Sequence, residues 1–366
     1  MLNVARHRVL GWMAAAMLLL TGCQYSIVNL REDVEPNDSL AISFGNGVID
    51  NPIRTRSVSL LSQHTNTMGV WGWQTTQGGE VVCQFNNKEV TYDPVRALWT
   101  YSPARYWDKG SSYRFYAYAP HANSVSDASV SINDQTGFIS IKNVILTGCN
   151  TMDTVAQPVP SGSFYGVDDT DWLIDRSGQM VPKEKVHSRV TFNMQHILAK
   201  FNVMVVAHPD IVSSGSTNVV VDSLSIGQFV GKGSFTQKLS HTPVVGVEAD
   251  DTVREWITDS TYPRYTLQGT RGANVTTAGC CVIESLVLPQ PITEQMQLRL
   301  RYSINSVGGH SEHFTYLLRL DNAFSEFRCS NNYTLTLIIG SENDVITFDS
   351  GSTLWDSEND RNSWIY

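Results

Sequence analysis

The sequence predicts an all-β protein built from two β-sandwiches, and three observations carry that prediction. Apolar and polar residues alternate with a period of two in "VWGW" (70–73), "YRFYAYA" (113–119), "FISIKNV" (138–144), "QLRLRYSI" (297–304) and "NYTLTLII" (332–339). Gly, Asn, Asp and Ser cluster between these runs, as strand–turn chains require, and long helical patterns are nearly absent. In "QLRLRYSI", Leu298, Leu300, Tyr302 and Ile304 face one way while Arg299, Arg301 and Ser303 face the other.

At the N-terminus, Arg6 and Arg8 precede the apolar run Leu10 to Leu20, which is shorter than the roughly 20 residues a spanning helix needs. A basic start, a brief apolar stretch and small residues before a cut site describe a secretory signal over residues 1–22. Leu20-Thr21-Gly22-Cys23 resembles the lipobox of bacterial lipoproteins. That resemblance implies a diacylglycerol on Cys23, cleavage before it, and an exported chain tied to the outer membrane through its lipid. "LAISF" (40–44) is a short alternating strand, expected to pair as an edge strand. "DNPIRTRSV" (50–58) is a polar loop carrying Arg54 and Arg56.

Further on, "CNTMDTVAQPVPSGSFYGVDDTD" (149–171) is too long and polar for a tight connection. The polar stretch 175–188, with Gly178 and Pro182, sets a domain boundary, giving 23–184 and 185–366 as the two domains. In "VTFNMQHILAKFNVMVV" (190–206) the alternation slips at "QHILAK". One strand broken by a bulge is expected there, with a helical turn as the alternative.

Charge and cysteine content limit the function. The chain carries 26 basic and 35 acidic residues, net −9, and −11 once residues 1–22 are removed. With no basic cluster, the balance argues against nucleic acid and against electrostatic binding to anionic lipid. If Cys23 is lipidated, Cys83, Cys149, Cys280, Cys281 and Cys329 remain, an odd number without regular spacing and expected mostly as small buried residues. A Cys83–Cys149 or Cys280/281–Cys329 bridge stays open, and no CxxC pair points to zinc.

No catalytic, cofactor-binding or metal site is expected. "GQFVGKGS" (227–234) fails the phosphate-loop pattern, because Ile226 and Gly233 stand where Gly and Ser or Thr are required; a hairpin turn is expected instead. "GGHSEH" (308–313) lacks HExxH spacing and is expected as an exposed turn entering the strand "FTYLLRL". His196, near Lys200, reads as a satisfied, partly buried histidine. No GxSxG elbow occurs, and Asp168/Asp169 and Asp250/Asp251 are adjacent and so tend to diverge.

The most distinctive text is "LWTYSPARYWDKGSSYRFYAYAPH" (98–121), with "DWLI" (171–174) and "VTFNMQHILAKFNV" (190–203) after it. Trp107, Phe115, Tyr116, Ala117, Tyr118 and Pro120 match one block, Asp171 and Leu173 a second, and Phe192, His196, Lys200 and Phe201 a third. In this order they resemble the fimbrillin-like family of Bacteroidales pilus subunits, whose late strand is similar to "NNYTLTLII" (331–339) and whose terminal tryptophan is matched by Trp355. Asp108, Ala119 and Trp172 depart from the pattern.

The resemblance implies two transthyretin-like sandwiches in tandem, exported as a lipoprotein and assembled on the cell surface as a structural or adhesive pilus. It implies that a protease cut after an arginine, here Arg54 or Arg56, removes the first strand, and that a neighbouring subunit's terminal segment fills the groove. "VITFDSGSTLW" (345–355) reads as either a native last strand or such a donor. The alternatives are a pilus anchor that keeps its lipid, or a surface lipoprotein binding glycan or host protein through Trp71, Trp73, Trp99 and Trp107.

Overall fold

The computed structural model describes residues 41–49, 60–125, 127–133, 138–148, 169–175, 178–185, 188–212, 215–238, 254–269, 271–340 and 346–354. The chain divides into Met1–Ala41 and Ile42–Tyr366, and every element below lies in the second unit. It is all-β, with four main sheets and only single-turn helices among the described residues.

The large sheet runs Val48–Ile49, Asn193–His196, Leu173–Asp175, Ser112–Ala119, Thr67–Thr75, Val81–Asp93 and Leu98–Thr100, with Gln179–Val181 also against Ser112–Ala119. Both of its faces are covered, which explains why its central strands read as nearly unbroken apolar text. In Ser112–Ala119, Tyr113, Phe115, Ala117 and Ala119 enter one core with Met68, Val70, Phe85 and Val90. Tyr116 and Tyr118 enter another with Trp71, Trp73, Trp172 and Ile174. Phe115 and Tyr116 thus serve opposite faces, as the alternation predicts.

The second core is closed by a cover sheet, ordered Arg254–Thr258, Lys232–Lys238, Phe138–Ile145, Ser129–Asn133. Ile139, Ile141, Val144 and Phe235 supply its buried side. Two of these strands precede position 184/185 and two come after it, so the halves of the chain interleave here.

The third core fills a sandwich. One of its sheets runs Cys280–Val287, Ala199–Ala207, Asn331–Ile339, Ile346–Leu354. The other runs Tyr265–Gln268, Thr217–Phe229, Gln297–Ser306, Ser311–Arg319, with Ala273–Val275 also against Thr217–Phe229. Leu298, Leu300 and Tyr302 point into this core and Arg299 and Arg301 point out, as expected.

Two local expectations are corrected. Residues 190–206 form two strands in two sheets: Asn193–His196 ends in the large sheet and Ala199–Ala207 begins in the sandwich. The phase slip marks that crossing, where Ile197 and Leu198 are both buried in the core under the cover sheet. The crossing is pinned by Ile197 N–H donating to the Trp172 carbonyl (3.1 Å), Trp256 Nε1 to the Ile197 carbonyl (2.9 Å) and Ser330 N–H to the Leu198 carbonyl (2.9 Å). "GQFVGKGS" is not a hairpin turn, because Thr217–Phe229 belongs to the sandwich and Lys232–Lys238 to the cover sheet. Which sheet a strand joins is decided by distant partners, and local alternation does not encode it.

One consequence is testable at Gly69, in the strand Thr67–Thr75. A Cβ there would sit 2.1 Å from Tyr118 Cε1. Tyr118 is fully buried, donates to Asn87 Oδ1 (2.9 Å) and accepts from the Ala122 N–H (3.2 Å), so it has little room to move. Gly69→Ala is expected to cost about 1–3 kcal/mol through overpacking. Urea unfolding would show this as a lowered midpoint with an unchanged slope.

Candidate functional site

The segment Ile42–Ile49 joins the two ends of the large sheet. Phe44 bridges Trp99 on one side in antiparallel sense and Val190 on the other in parallel sense. Gly45 N–H donates to the Val190 carbonyl (2.8 Å), Val190 N–H to the Ser43 carbonyl (2.9 Å) and Val48 N–H to the Phe192 carbonyl (3.1 Å). Val48 and Ile49 then pair with Asn193 and Met194. The edge strand expected over 40–44 is not formed: among the described residues Phe44 pairs through isolated bridges with a neighbour on each side, and the first regular strand is Val48–Ile49. A sheet whose ends are both apolar is better closed than left with open edges.

Its alternation fits that place. Ile42, Phe44 and Ile49 are buried inward, while Ser43, Asn46 and Val48 are half-buried. The Phe44 ring stacks on Phe192 (centroids 5.9 Å apart) and meets Phe85 (5.5 Å) and Phe115 (6.0 Å) edge-on and Tyr101 (5.6 Å) at a tilt. Such offset and edge-on pairs add about 0.5–1.5 kcal/mol each beyond area burial. Backbone stands against Gly47, where a Cβ would lie 3.0 Å from the Phe192 carbonyl oxygen, whereas a Cβ on Gly45 would meet only side-chain atoms that can turn aside, Thr191 Oγ1 at 2.6 Å and Arg189 Cδ at 3.1 Å. At the segment's start, Ile42 N–H donates to the Arg105 carbonyl (2.8 Å) and Tyr101 Oη donates to the Ile42 carbonyl (2.8 Å). Burial pushes the Tyr101 phenol up to about 12, so it remains a donor there.

The segment is fastened to the short helix Leu61–His64, whose Leu61 shares its core. Leu61 N–H donates to the Gly47 carbonyl (2.8 Å), Val48 bridges Leu60, and Asn46 exchanges hydrogen bonds with Ser62. Val48 and Leu60 are thus neighbours in the fold. Arg54 and Arg56 fall between them in the sequence and, like Cys23, Cys149 and Trp355, lie outside the described residues.

At the other end, Ile346–Leu354 is a native last strand, antiparallel to Asn331–Ile339 over its whole length and at the outer edge of its sheet. Phe348 is 37 % exposed, unusual for a phenylalanine in a strand. A Cβ on Gly351 would meet nothing within 4 Å. The closing segment and the strand Ile346–Leu354 also share a pattern that alternation and motif spacing do not reveal. The closing segment reads Ile42-Ser43-Phe44-Gly45-Asn46-Gly47 and the last strand reads Ile346-Thr347-Phe348-Asp349-Ser350-Gly351. Both have the form Ile, hydroxyl residue, Phe, any residue, short polar residue, Gly.

The remaining candidates are structural. Trp71, Trp73, Trp99 and Trp107 are at most 7 % exposed, so they form no surface platform. Trp107 packs edge-on against Tyr113 (4.7 Å), while the adjacent Tyr106 is exposed. His196 is buried, with Nδ1 2.9 Å from Asp171 Oδ2, and its carbonyl accepts from Arg254 Nη2 (3.1 Å) and from Ser330 Oγ. "GGHSEH" is an exposed turn entering Ser311–Arg319, in which His310 approaches Glu312 (3.8 Å) and His313 approaches Asp222 (3.3 Å) instead of one another. The cysteines are not buried as expected: Cys83 and Cys281 lie at exposed positions, and Cys280 and Cys329 are intermediate. Cys280, Cys281 and Cys329 are free thiols, so the Cys280/281–Cys329 bridge is not formed, and Cys83 Sγ donates to the Phe85 carbonyl (3.3 Å).

A family model described as fimbrillin-like matches residues 55–355. The chain is similar to the crystal structure of a fimbrial protein from Bacteroides vulgatus ATCC 8482, with a TM-score of 0.55 at 15% identity, covering 86% of this chain and 99% of that one. It is also similar to a putative cell adhesion protein from Bacteroides uniformis ATCC 8492, with a TM-score of 0.46 at 14% identity over 87% of this chain and 100% of that one. No curated protein matches. The match to the Bacteroides vulgatus protein establishes a shared fold.

Proposed function

The chain belongs to the fimbrillin-like family, and from that premise we propose that it is a structural or adhesive pilus subunit assembled on the cell surface by strand exchange. It is exported as a lipoprotein through Cys23 and held at the outer membrane by its lipid. Cleavage after Arg54 or Arg56 then frees the closing segment, lipid included, and the last strand of a neighbouring copy takes its place.

The observation that carries this reading is the shared pattern of Ile42–Gly47 and Ile346–Gly351. A segment replacing Ile42–Gly47 must bring an aromatic ring to the pocket of Phe85, Tyr101, Phe115 and Phe192, and a glycine to the position facing the Phe192 carbonyl. In register, Phe348 supplies the ring, Gly351 the glycine, and Asp349 takes the place of Gly45 beside the Thr191 and Arg189 side chains, which must turn aside to admit it. Main-chain hydrogen bonds lost with one strand are restored by the next, the usual logic of β-augmentation. Two further facts support it. The family match begins at residue 55, leaving the closing segment outside it. Val48 and Leu60, on either side of the stretch bearing both arginines, are bridged to one another, so the fold on both sides of the cut is held together through Leu60.

Arg54→Gln/Arg56→Gln is expected to keep the N-terminal segment attached and to abolish the heat-sensitive ladder that strand-exchanged polymers give on SDS gels. An unchanged ladder in that double variant would remove these arginines as the processing site.

A further inference from the structure

The outward face of the sandwich sheet Tyr265–Gln268, Thr217–Phe229, Gln297–Ser306, Ser311–Arg319 carries two arginines that no ion pair among the described residues uses. Arg299 and Arg301 are exposed, two residues apart on Gln297–Ser306, and so project from the same face about 7 Å apart. Neither has a carboxylate within 4 Å among the described residues, although acidic residues outnumber basic ones by 35 to 26 in the chain. The nearby carboxylate, Asp222, is engaged by Ser303 Oγ (3.1 Å) and His313 Nδ1 (3.3 Å). Arg319, at the end of the neighbouring strand, is held by Asp321 and Glu294. Directly across from the two arginines stand Ser225 and Ser223 on one side and Leu317 and Thr315 on the other.

We infer that this face binds a carboxylated polysaccharide, with Arg299 and Arg301 each engaging a carboxylate and the flanking hydroxyls meeting sugar hydroxyls. Three features select that partner. Gln297–Ser306 is an interior strand paired on both sides, so a peptide cannot add to it through main-chain hydrogen bonds. The surround is hydroxyl-rich and contains one exposed apolar residue, Leu317, whereas protein interfaces depend on buried aromatic or aliphatic anchors. A guanidinium meets a carboxylate through two parallel hydrogen bonds, and elsewhere the acidic surface repels an anionic polymer.

The test measures binding of the full chain to immobilised polygalacturonate, with neutral dextran and polyglutamate as comparisons. The wild-type chain should bind polygalacturonate, ignore dextran, and lose binding as salt rises from about 50 mM to about 500 mM. Arg299→Gln/Arg301→Gln, at two exposed positions, should melt like wild type and bind about tenfold more weakly or worse. Arg96→Gln/Lys142→Gln removes the same two charges elsewhere and should bind as wild type does. Absence of wild-type binding, or an equal loss in both double variants, overturns the site. Tighter capture by polyglutamate overturns the polysaccharide in favour of an acidic protein.

Discussion

Phe44→Ala should destabilise the unprocessed chain by about 3–5 kcal/mol, the usual result of emptying a buried phenylalanine site that cannot collapse. Phe44 is 1 % exposed, and the four rings around it are themselves fixed in the core of the large sheet. Denaturant unfolding of the precursor measures the loss. Under strand exchange the same substitution is silent in the assembled polymer, because the residue leaves with the cleaved segment. A purely structural strand would instead weaken both forms equally. The pair of measurements therefore separates a permanent strand from one that is removed.

The second large effect lies at the other end of the chain. Phe348→Asp and Gly351→Val should each leave the monomer within about 1 kcal/mol of wild type, since one side chain is partly exposed and the other position faces open space. Both should block assembly. Phe348→Asp would bring a charge into the aromatic pocket, and Gly351→Val a branched side chain against the Phe192 carbonyl, 3.0 Å from where a Cβ would stand. Gel ladders after arginine-specific proteolysis report assembly, and thermal melts report the monomer. Normal ladders from both variants would remove the last strand as donor.

Much of the fold is legible in the sequence because alternation is local. The opposite destinations of Phe115 and Tyr116, and of Leu300 and Arg301, result from period two alone. What alternation does not carry is sheet membership. Residues 190–206 look like one bulged strand, yet the slip at Ile197–Leu198 is where the chain passes from one sheet to another. The turn at 230–231 resembles a hairpin by its glycines, and only the pairing of Lys232–Lys238 with Phe138–Ile145 shows otherwise. The tryptophans suggest a binding platform in sequence and are core in the structure, because both faces of the large sheet are covered.

The closing segment is visible in sequence as a short strand, but its place between Trp99 and Val190 depends on contacts more than 50 residues away. Its likeness to the last strand is written in the same sequence. It acquires meaning only once the Phe44 pocket and the contact at Gly47 show which positions matter.

The N-terminal residue of the protein in its assembled form tests strand exchange most directly. Cleavage after Arg54 or Arg56 predicts Thr55 or Ser57, with the closing segment and the Cys23 lipid gone. A polymer whose subunits still begin at lipidated Cys23 would contradict it.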